Sequence, residues 1–342
     1  MNIRVGILTA PKIEFEQKAR TFILKNVRIG IGFHWDRHED QEFAGTLEIR
    51  HNADGTQTAI NTIDLEDYLC SVISSEMNAN SPMELLKAHA VISRSWAIRA
   101  MQKPNHEGFH VCADDHCQRY EGLRRMNERA VEAVNATRGQ VLLYNDEICD
   151  CRYYKCCGGR TEIWRTCWED IDVPYIQSVF CDWCKAPSPS VLRLVLNDYD
   201  QETKDFRDWT VTYTAEELSE IIRTKSGIDF GEIIDLIPLH RGASGRIDSL
   251  KIVGTKHTET IGKELKIRLW LSRTCLYSSW FEVSRNPSPI TGTPLWTLSG
   301  HGWGHGAGLC QIGAAVMASE GHPYEEILSY YYVGSRLSTP AQ

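Results

Sequence analysis

The first sixty residues alternate apolar and polar side chains in short runs, which occupy residues 3–7, 27–31 and 45–50. Because a period of two places successive side chains on opposite faces of a strand, these runs predict β structure with turns between the strands. We expect an N-terminal β-rich segment over residues 1–60 that packs on a main domain over residues 61–342.

After this segment, the apolar residues recur at the spacing of a helix. Residues 64–75 begin with acidic side chains and then place apolar residues at helical spacing, which predicts a helix. A second helix is expected from Pro82 to about Met101, with Ser81 as its N-cap and Glu84 completing a capping box. This second helix is apolar almost all round, and a helix of that kind is usually buried.

The remaining chain mixes both periods. Helices are predicted at residues 214–223, 309–320 and 323–332, and residues 139–182 and 246–276 are predicted to be mainly β structure. Because strands and helices do not follow a βαβ rhythm, the predicted fold class is α+β. We expect mixed antiparallel β structure with a buried central helix and short C-terminal helices.

Composition and charge exclude several classes of protein. Of the 342 residues, 42% are hydrophobic and 24% are charged, which is normal for a globular protein with a core. The net charge of −8 and the absence of a basic run argue against a nucleic-acid partner. The sequence contains no window of about 18 uncharged apolar residues, so it predicts no transmembrane helix. The first residues lack the basic and apolar regions of a signal peptide.

Cysteines are frequent and clustered, with twelve in the chain. His106, Cys112, His116 and Cys117 offer four ligands of the kind that zinc prefers, with His110 as a spare. The alternative for this loop is a set of reduced surface cysteines. A second group lies between Cys149 and Cys184. It is predicted to hold reduced thiols, a disulfide that joins Cys181 to Cys184 or either of them to Cys167, or a second zinc.

Two charged residues near the second helix are candidates for chemistry. Glu76 lies between the two predicted helices, where packing would remove its carboxyl from water, and the alternative is an ordinary solvated glutamate. Arg94 lies inside the second helix. Because a buried cation needs a partner, we expect Arg94 to bind another acid or backbone carbonyls, or to orient Glu76 from a distance.

A run of glycines, Gly-His-Gly-Trp-Gly-His-Gly-Ala-Gly, occupies residues 300–308. From residue 302 its letters match a dinucleotide fingerprint, but too few residues follow for the rest of a nucleotide-binding sheet. Cys310 and His305 are a candidate nucleophile and base of a hydrolase, although the sequence specifies no orienting third group. The alternative is that Cys310 is a buried cysteine at the start of a helix.

Four segments together resemble the SpoIID/LytB family. Residues 71–98 resemble its signature block, residues 153–162 its middle motif, residues 173–179 the segment after that motif, and residues 300–314 its C-terminal motif. They appear in the order typical of the family and span residues 62–335.

The resemblance implies a lytic transglycosylase that cleaves peptidoglycan glycan strands and leaves a 1,6-anhydro-muramoyl product, with peptide-stripped strands as the expected substrate. It implies that Glu76 protonates the glycosidic oxygen and then accepts the proton of the C6 hydroxyl. We expect Glu76 at the floor of a cleft lined by residues 153–162 and 300–311. The residues assigned to substrate binding are Arg94, Lys155, Gly158, Gly159, Trp303, His305 and Gln311.

Zinc-bearing members of this family place a histidine six residues before the first cysteine and a His-Cys pair after it. The resemblance therefore implies one structural zinc per chain, held by His106, Cys112, His116 and Cys117 rather than by His110.

The sequence departs from the family pattern at several positions. His89 stands where the family has glutamine, Cys157 where it has serine or threonine, and residues 309–311 read Leu-Cys-Gln in place of Met-Ser-Gln. The implied substrate places the protein in the cell envelope, whereas the chain shows no export signal, so a cytoplasmic location stays open. The competing function is a non-catalytic, zinc-stabilised module that binds cell-wall glycan on the same fold.

Overall fold

The structure is a computed structural model that describes residues 1–30, 37–78, 80–114, 116–184, 187–195, 207–287 and 294–339. Residue 31, at the end of one predicted strand, lies outside this part of the chain. As far as residue 195, the elements in order are β1 Asn2–Ala10, β2 Phe15–Gln17, β3 Thr21–Ile29, β4 Arg37–Ala44, β5 Thr46–His51, β6 Gln57–Asp64, α1 Leu65–Glu76, α2 Met83–Gln102, β7 Val111–Cys112, α3 Glu128–Ala136, β8 Val141–Tyr144, β9 Glu147–Ile148, β10 Tyr153–Tyr154, α4 Trp164–Cys167, a 3-10 turn Asp182–Cys184 and α5 Pro189–Val195.

From residue 208 onward, the elements are β11 Asp208–Thr214, α6 Ala215–Ser226, β12 Ile233–Arg241, β13 Ile247–Gly254, β14 Thr258–Ile261, α7 Glu264–Trp270, β15 Phe281–Pro287, β16 Pro294–His301, β17 Leu309–Cys310, α8 Gln311–Ser319, α9 Tyr324–Tyr331 and β18 Arg336–Ser338. This mixture of small sheets and helices confirms the predicted α+β class.

The larger hydrophobic core surrounds α2. Helix α2 packs against α1, α3, α8, α9 and β8, and side chains of β1, β3 and β6 belong to the same core. The sheet of order β5-β6-β1-β7 joins the N-terminal strands to this core. The domain boundary predicted at residue 60 therefore falls inside β6, in the middle of one continuous core.

Local sequence explains the start of α1 but not the start of α2. The Asp64 side chain accepts a hydrogen bond from the backbone N–H of Glu66 at 2.9 Å and caps α1. The predicted capping box of α2 is wrong, because the helix has no side-chain cap. Ser81 instead donates to the carbonyl of Leu194, and Glu84 accepts from the backbone N–H of Tyr324 at 2.9 Å.

A second, separate core lies between the sheets β11-β16-β15 and β12-β13-β14 and the helices α6 and α7. Helix α6 begins with a complete capping box formed by Thr214 and Glu217 and ends at Gly227 in the left-handed conformation, which is a common end for a helix. Helix α7 corrects the prediction of strands over residues 246–276. Its seven residues are too few for a clear helical period, and α7 buries Ile267 in this core.

A short parallel pairing joins two motifs that are far apart in sequence. In it, Tyr153 pairs with Leu309 and Tyr154 with Cys310, so β10 and β17 lie side by side. This pairing brings the middle motif next to the C-terminal glycine-rich motif. Among the described residues, no helix is both long and apolar enough to cross a membrane.

Candidate active site

The carboxyl of Glu76 is held at the C-terminal end of α1 by two other segments. Its Oε1 accepts a hydrogen bond from the backbone N–H of Arg119 at 3.1 Å and another from the hydroxyl of Tyr153 at 3.1 Å. The side chain is partly buried. The prediction that the middle motif lies at Glu76 is thus matched by direct contact, while the catalytic role of Glu76 stays a prediction.

Tyr153 acts as a neutral hydrogen-bond donor in this arrangement. Burial, followed by the nearby charge of Glu76, raises the pKa of Tyr153 well above its usual value. A phenol with a raised pKa keeps its proton at neutral pH, so it donates to the carboxylate. Its ring also packs edge-on against His89, with 4.4 Å between the ring centroids.

His89 connects Tyr153 to the C-terminal motif. The amide nitrogen of Gln311 lies 3.1 Å from Nε2 of His89, and the hydroxyl of Ser93 lies 3.2 Å from Nδ1. Burial, aided by the charge of Lys155, lowers the pKa of His89 to about 3. The imidazole is therefore neutral, with Nε2 as the acceptor of the Gln311 amide and the proton on Nδ1.

Gln311 was assigned to substrate binding, and the structure corrects this assignment. The side chain is 3% exposed and its amide nitrogen is hydrogen-bonded to His89. It supports the wall behind Tyr153 instead of reaching a ligand. The C-terminal motif thus acts on Glu76 through two intervening side chains.

His305 also turns inward, contrary to its assignment to substrate binding. Its Nε2 donates to the backbone carbonyl of Tyr153 at 3.0 Å, and its Nδ1 accepts from the backbone N–H of Ala307 at 3.1 Å. Burial, together with nearby arginines, lowers the pKa of His305 well below its ordinary value. Both ring nitrogens are used within the protein, so neither is available as the base of a Cys310 hydrolase.

Trp303 packs in the interior and does not present a face for stacking on a sugar. It is 9% exposed, it exchanges two backbone hydrogen bonds with Cys156, and its ring meets Tyr277 edge-on. The assignment of Trp303 to substrate binding is therefore corrected to a packing role.

The glycine run allows backbones to approach one another closely. Gly302 and Gly308 have φ angles of 77° and 87°, a region that side chains disfavour. A Cβ added to Gly308 would lie 2.1 Å from the carbonyl oxygen of Arg152, and one added to Gly302 would lie 2.8 Å from that of Cys156. The contact at Gly302 is thus with the middle motif, and the contact at Gly308 is with the residue directly before it.

Of the two glycines assigned in the middle motif, only Gly159 faces open space. It has a φ of 123° and a Cβ there would meet nothing within 4 Å, whereas a Cβ on Gly158 would lie 3.0 Å from the backbone nitrogen of Gly302. Lys155 is partly buried, and its charge contributes to the lowered pKa of His89. Gly159 and Lys155 remain candidates for substrate contact.

Arg94 makes an internal ion pair. Its guanidinium binds both carboxylate oxygens of Glu66 at 2.9 and 2.7 Å and the carbonyl of Gln140 at 3.1 Å. Arg94 is 1% exposed. The expected pairing with another acid and with carbonyls is confirmed, and the assignment of Arg94 to substrate binding is wrong because its donors are used inside the core.

The four predicted zinc ligands converge. One ligand atom from each of His106, Cys112, His116 and Cys117 lies within 4.8 Å of all the others. We call these residues the His-Cys cluster. Nε2 of His106 lies 3.2 Å from the sulfur of Cys117. His110, the spare histidine, instead accepts from the backbone N–H of Arg4 at 3.0 Å.

The His-Cys cluster is electrostatically suited to a thiolate. Hydrogen bonds from Cys117 and His116 lower the pKa of Cys112 to about 4, and the hydrogen bond with Cys112 raises the pKa of His116. Cys112 is fixed in place because β7 pairs with β1, with Cys112 opposite Gly6. A cavity of about 850 Å³ lies beside the cluster and is lined by Cys112 and His116 among others. Glu76 does not belong to its lining, so the sugar cleft at Glu76 stays a prediction.

The comparisons with known proteins agree with this layout. Residues 53–144 match the family model of SpoIID, the stage II sporulation protein, and this span holds Glu76, His89 and the His-Cys cluster. The chain is 27% identical over 299 residues to stage II sporulation protein D of Bacillus subtilis. The aligned residues cover 82% of this chain and 76% of that protein. The resemblance of this chain to the SpoIID family is thereby confirmed.

Other relatives extend the match beyond that span. An uncharacterized protein of Brachyspira hyodysenteriae is 29% identical over 280 residues, covering 82% of this chain and 68% of that protein. The amidase enhancer of Bacillus subtilis is 26% identical over 301 residues, covering 79% of this chain but 40% of that protein. Residues 162–308 match a domain of unknown function, DUF8618, which includes the second hydrophobic core.

The residues that hold Glu76 are not identified from the sequence. Tyr153 was part of a recognised motif but received no role, and Arg119 contributes only its backbone N–H. His89 was noted only as a departure from the family pattern. Its position in a helix that is apolar all round was the available signal, because a polar ring at such a position must find partners inside the core.

Replacing His89 with glutamine should make the protein less sensitive to acid. Because the pKa of His89 is about 3 in the folded state and about 6.5 in an unfolded chain, the unfolded state binds a proton first. Stability is therefore lost as the pH falls from 6.5 toward 3. Between pH 7 and pH 5, His89→Gln should lose about 2 kcal/mol less unfolding free energy than the wild type.

Urea denaturation of both proteins at each pH measures this difference. His305 remains in both, so its own lowered pKa cancels in the comparison. Equal losses of stability in the two proteins would contradict a neutral, buried His89.

Proposed function

We propose that this protein is a lytic transglycosylase that cleaves the glycan strands of peptidoglycan without water, with Glu76 as the single acid and base. The observation that carries the proposal is the double hydrogen bond to Oε1 of Glu76 from the Arg119 N–H and the Tyr153 hydroxyl, both at 3.1 Å. The two bonds fix the orientation of one carboxyl beside the middle motif. The resemblance to the SpoIID family supports the choice of a cell-wall glycan as substrate.

The chemistry needs only one carboxyl group. Glu76 donates its proton to the oxygen of the glycosidic bond as the bond from that oxygen to C1 of the muramoyl sugar breaks. The C6 hydroxyl of the same sugar attacks C1, and its proton passes to Glu76. A 1,6-anhydro ring forms and the acid is regenerated, whereas hydrolysis commonly needs a second carboxyl to activate water.

Tyr153 and Arg119 have a positioning role in this scheme. Hydrogen bonds to a carboxylate favour its charged form, so both donors stabilise Glu76 after it has given up its proton. The contact of His89 with the Tyr153 ring and the hydrogen bond from His305 to the Tyr153 carbonyl hold this tyrosine in place.

We also propose that the His-Cys cluster binds one structural zinc ion. Two imidazole nitrogens and two sulfurs within 4.8 Å of one another fit the tetrahedral donor set of zinc, and four protein ligands leave no position for a reactive water. Cys117 lies two residues before Arg119, so the ion would anchor the segment whose N–H binds Glu76. Because peptidoglycan lies outside the cytoplasm, the proposed substrate also requires the protein to act in the cell envelope.

Glu76→Gln should abolish formation of the anhydro product, because the amide keeps the shape of the side chain but cannot transfer the proton. A loss of at least about 100-fold is expected for removal of a general acid. Mass spectrometry of muropeptides released from whole and from peptide-stripped peptidoglycan measures the product.

Asp67→Asn is a matched control, because Asp67 is an exposed acid on the same helix and the change is again from acid to amide; this variant should retain the product. Equal anhydro product from wild type and Glu76→Gln would refute the proposal. If the wild type forms none and both proteins bind the glycan equally, the chain is a binding module.

Tyr153→Phe should reduce turnover and leave glycan affinity nearly unchanged. The variant keeps the ring that packs on His89 but loses one hydrogen bond to Glu76, and hydrogen bonds to charged groups contribute about 1.5–3 kcal/mol. We expect kcat to fall by roughly 10-fold to 100-fold, with an altered pH profile of kcat. An unchanged kcat and pH profile would remove Tyr153 from the mechanism.

Cys112→Ser combined with Cys117→Ser should lower the zinc content by about one ion per chain. The variant should also unfold at lower temperature, because the metal no longer joins the loop to β7. His110→Ala is the control, since His110 binds backbone and lies outside the cluster. Elemental analysis of protein purified without chelator gives the count, and equal zinc in the double variant and the wild type would exclude the cluster as its site.

A further inference from the structure

Four buried cysteines from three distant parts of the chain meet at one point. The sulfur atoms of Cys157, Cys181, Cys184 and Cys310 all lie within 4.8 Å of one another, and each residue is 0% exposed. We call these residues the four-cysteine cluster. We propose that it binds a single zinc ion as a second metal site, independent of the His-Cys cluster and of the proposed reaction.

The dimensions of the cluster fit one ion. Zinc–sulfur bonds of about 2.3 Å in a tetrahedron place the sulfurs about 3.8 Å apart. The sulfurs of Cys157 and Cys184 lie 3.0 Å apart. Shifts of the sulfur atoms of under about 1 Å would therefore complete the site. In a four-iron cluster each thiolate binds a different iron, which pushes the sulfurs further apart.

The spacing of the ligands in sequence is also that of a zinc site. Cys181 directly precedes the 3-10 turn and Cys184 ends it, and together they form a C-x-x-C pair, a common half-site for structural zinc. Cys157 precedes the Gly158-Gly159 turn, and Cys310 ends β17. The parallel pairing of β10 with β17 brings Cys157 and Cys310 close to each other.

Backbone N–H groups already point at the sulfurs. Cys310 accepts from the N–H of Cys157 at 3.3 Å and from that of Gly313 at 3.4 Å, and Cys157 accepts from the N–H of Gly159 at 3.3 Å. Cys310 is also the N-cap of α8, where the helix dipole favours negative charge. Four thiolates around one Zn²⁺ carry a net charge of −2, so these donors would stabilise the bound state.

The alternative for four close cysteines is a pair of disulfides. The 3.0 Å between the Cys157 and Cys184 sulfurs is longer than the bond of about 2.05 Å, and all four residues are free cysteines here. Sulfurs that are all mutually close are the arrangement that a tetrahedral ion requires, whereas two disulfides require closeness only within each pair.

A bound ion would stabilise the wall behind the candidate active site. Gln311, which binds His89, directly follows Cys310, and Tyr153 lies on the strand that leads to Cys157. Cross-linking three segments through one ion would restrict the relative movement of the middle and C-terminal motifs. Removal of the ion is thus expected to lower the thermal stability of this part of the protein.

The test is the metal content of the full-length protein purified under reducing conditions without chelator. To isolate this site, all variants carry Cys112→Ser and Cys117→Ser, which disable the His-Cys cluster. This background should retain about one zinc per chain by elemental analysis and native mass spectrometry. Adding Cys181→Ser and Cys184→Ser should reduce it to near zero and lower the melting temperature.

Cys151→Ser in the same background is the matched control. Cys151 is 0% exposed, like the four ligands, but it is not part of the mutually close set of four, so the zinc should remain. Loss of zinc in this control would overturn the ligand set.

A second measurement is needed in case the variants fail to fold. In wild-type protein, the four cysteines should resist alkylation until a strong zinc chelator is added, as read by peptide mapping. Three outcomes would overturn the proposal: no zinc in the background variant, iron with acid-labile sulfide, or a mass lower by the hydrogens lost to disulfides. Protection that chelator removes, with zinc released, would support it.

Discussion

The burial of α2 on all sides is the constraint on which the rest of the structure depends. A helix that is apolar all round must be covered by other elements over its whole circumference. The covering elements are α1 and α3 from the first part of the chain and α8 and α9 from its end. Covering the apolar surface of this one helix therefore brings the segment that carries Glu76 close to the segment that carries Gln311.

Polar groups inside this apolar helix determine how its neighbours are placed. The guanidinium of Arg94 would be costly to bury alone, and its bidentate pairing with Glu66 fixes the rotation of α1 relative to α2. His89 lies on the same helix and binds Gln311 on α8. Each bond satisfies a buried polar group and, because it is directional, also sets the position of one covering helix.

The parts of the fold that could be predicted from sequence were those encoded by local patterns. The span of α2 was predicted to within a residue or two, because a long run with a clear period leaves little choice. The capping box at Ser81 failed because that hydroxyl and the Glu84 carboxyl bind groups brought by tertiary packing. The prediction missed helix α7, because seven residues make too few turns to show a helical period in the sequence.

The same distinction holds for the candidate site. The His-Cys cluster lies within twelve residues of sequence, so ligand chemistry and short spacing indicate the candidate ligands, and the resemblance to zinc-bearing members of the family selects these four over His110. The inward orientation of His305 and Trp303 was not predictable, because it depends on backbone hydrogen bonds to Tyr153 and Cys156. Proximity to Glu76 in the motifs predicts substrate contacts, whereas Trp303, His305 and Gln311 pack and hydrogen-bond inside the protein.

Each of the two clusters of potential ligands ends within two residues of a group that helps to position Glu76. The His-Cys cluster ends at Cys117, two residues before the Arg119 N–H that binds Glu76. The four-cysteine cluster includes Cys310, one residue before the Gln311 amide that reaches Glu76 through His89 and Tyr153. A loop is restrained most strongly near the point where it is fixed, and segments that are otherwise irregular need such points to hold atoms within a fraction of an ångström. With both ions bound as proposed, the segments that lead to Arg119 and to Gln311 would each begin at a metal-anchored residue, and this anchoring would add to the rigidity that acid catalysis requires at Glu76.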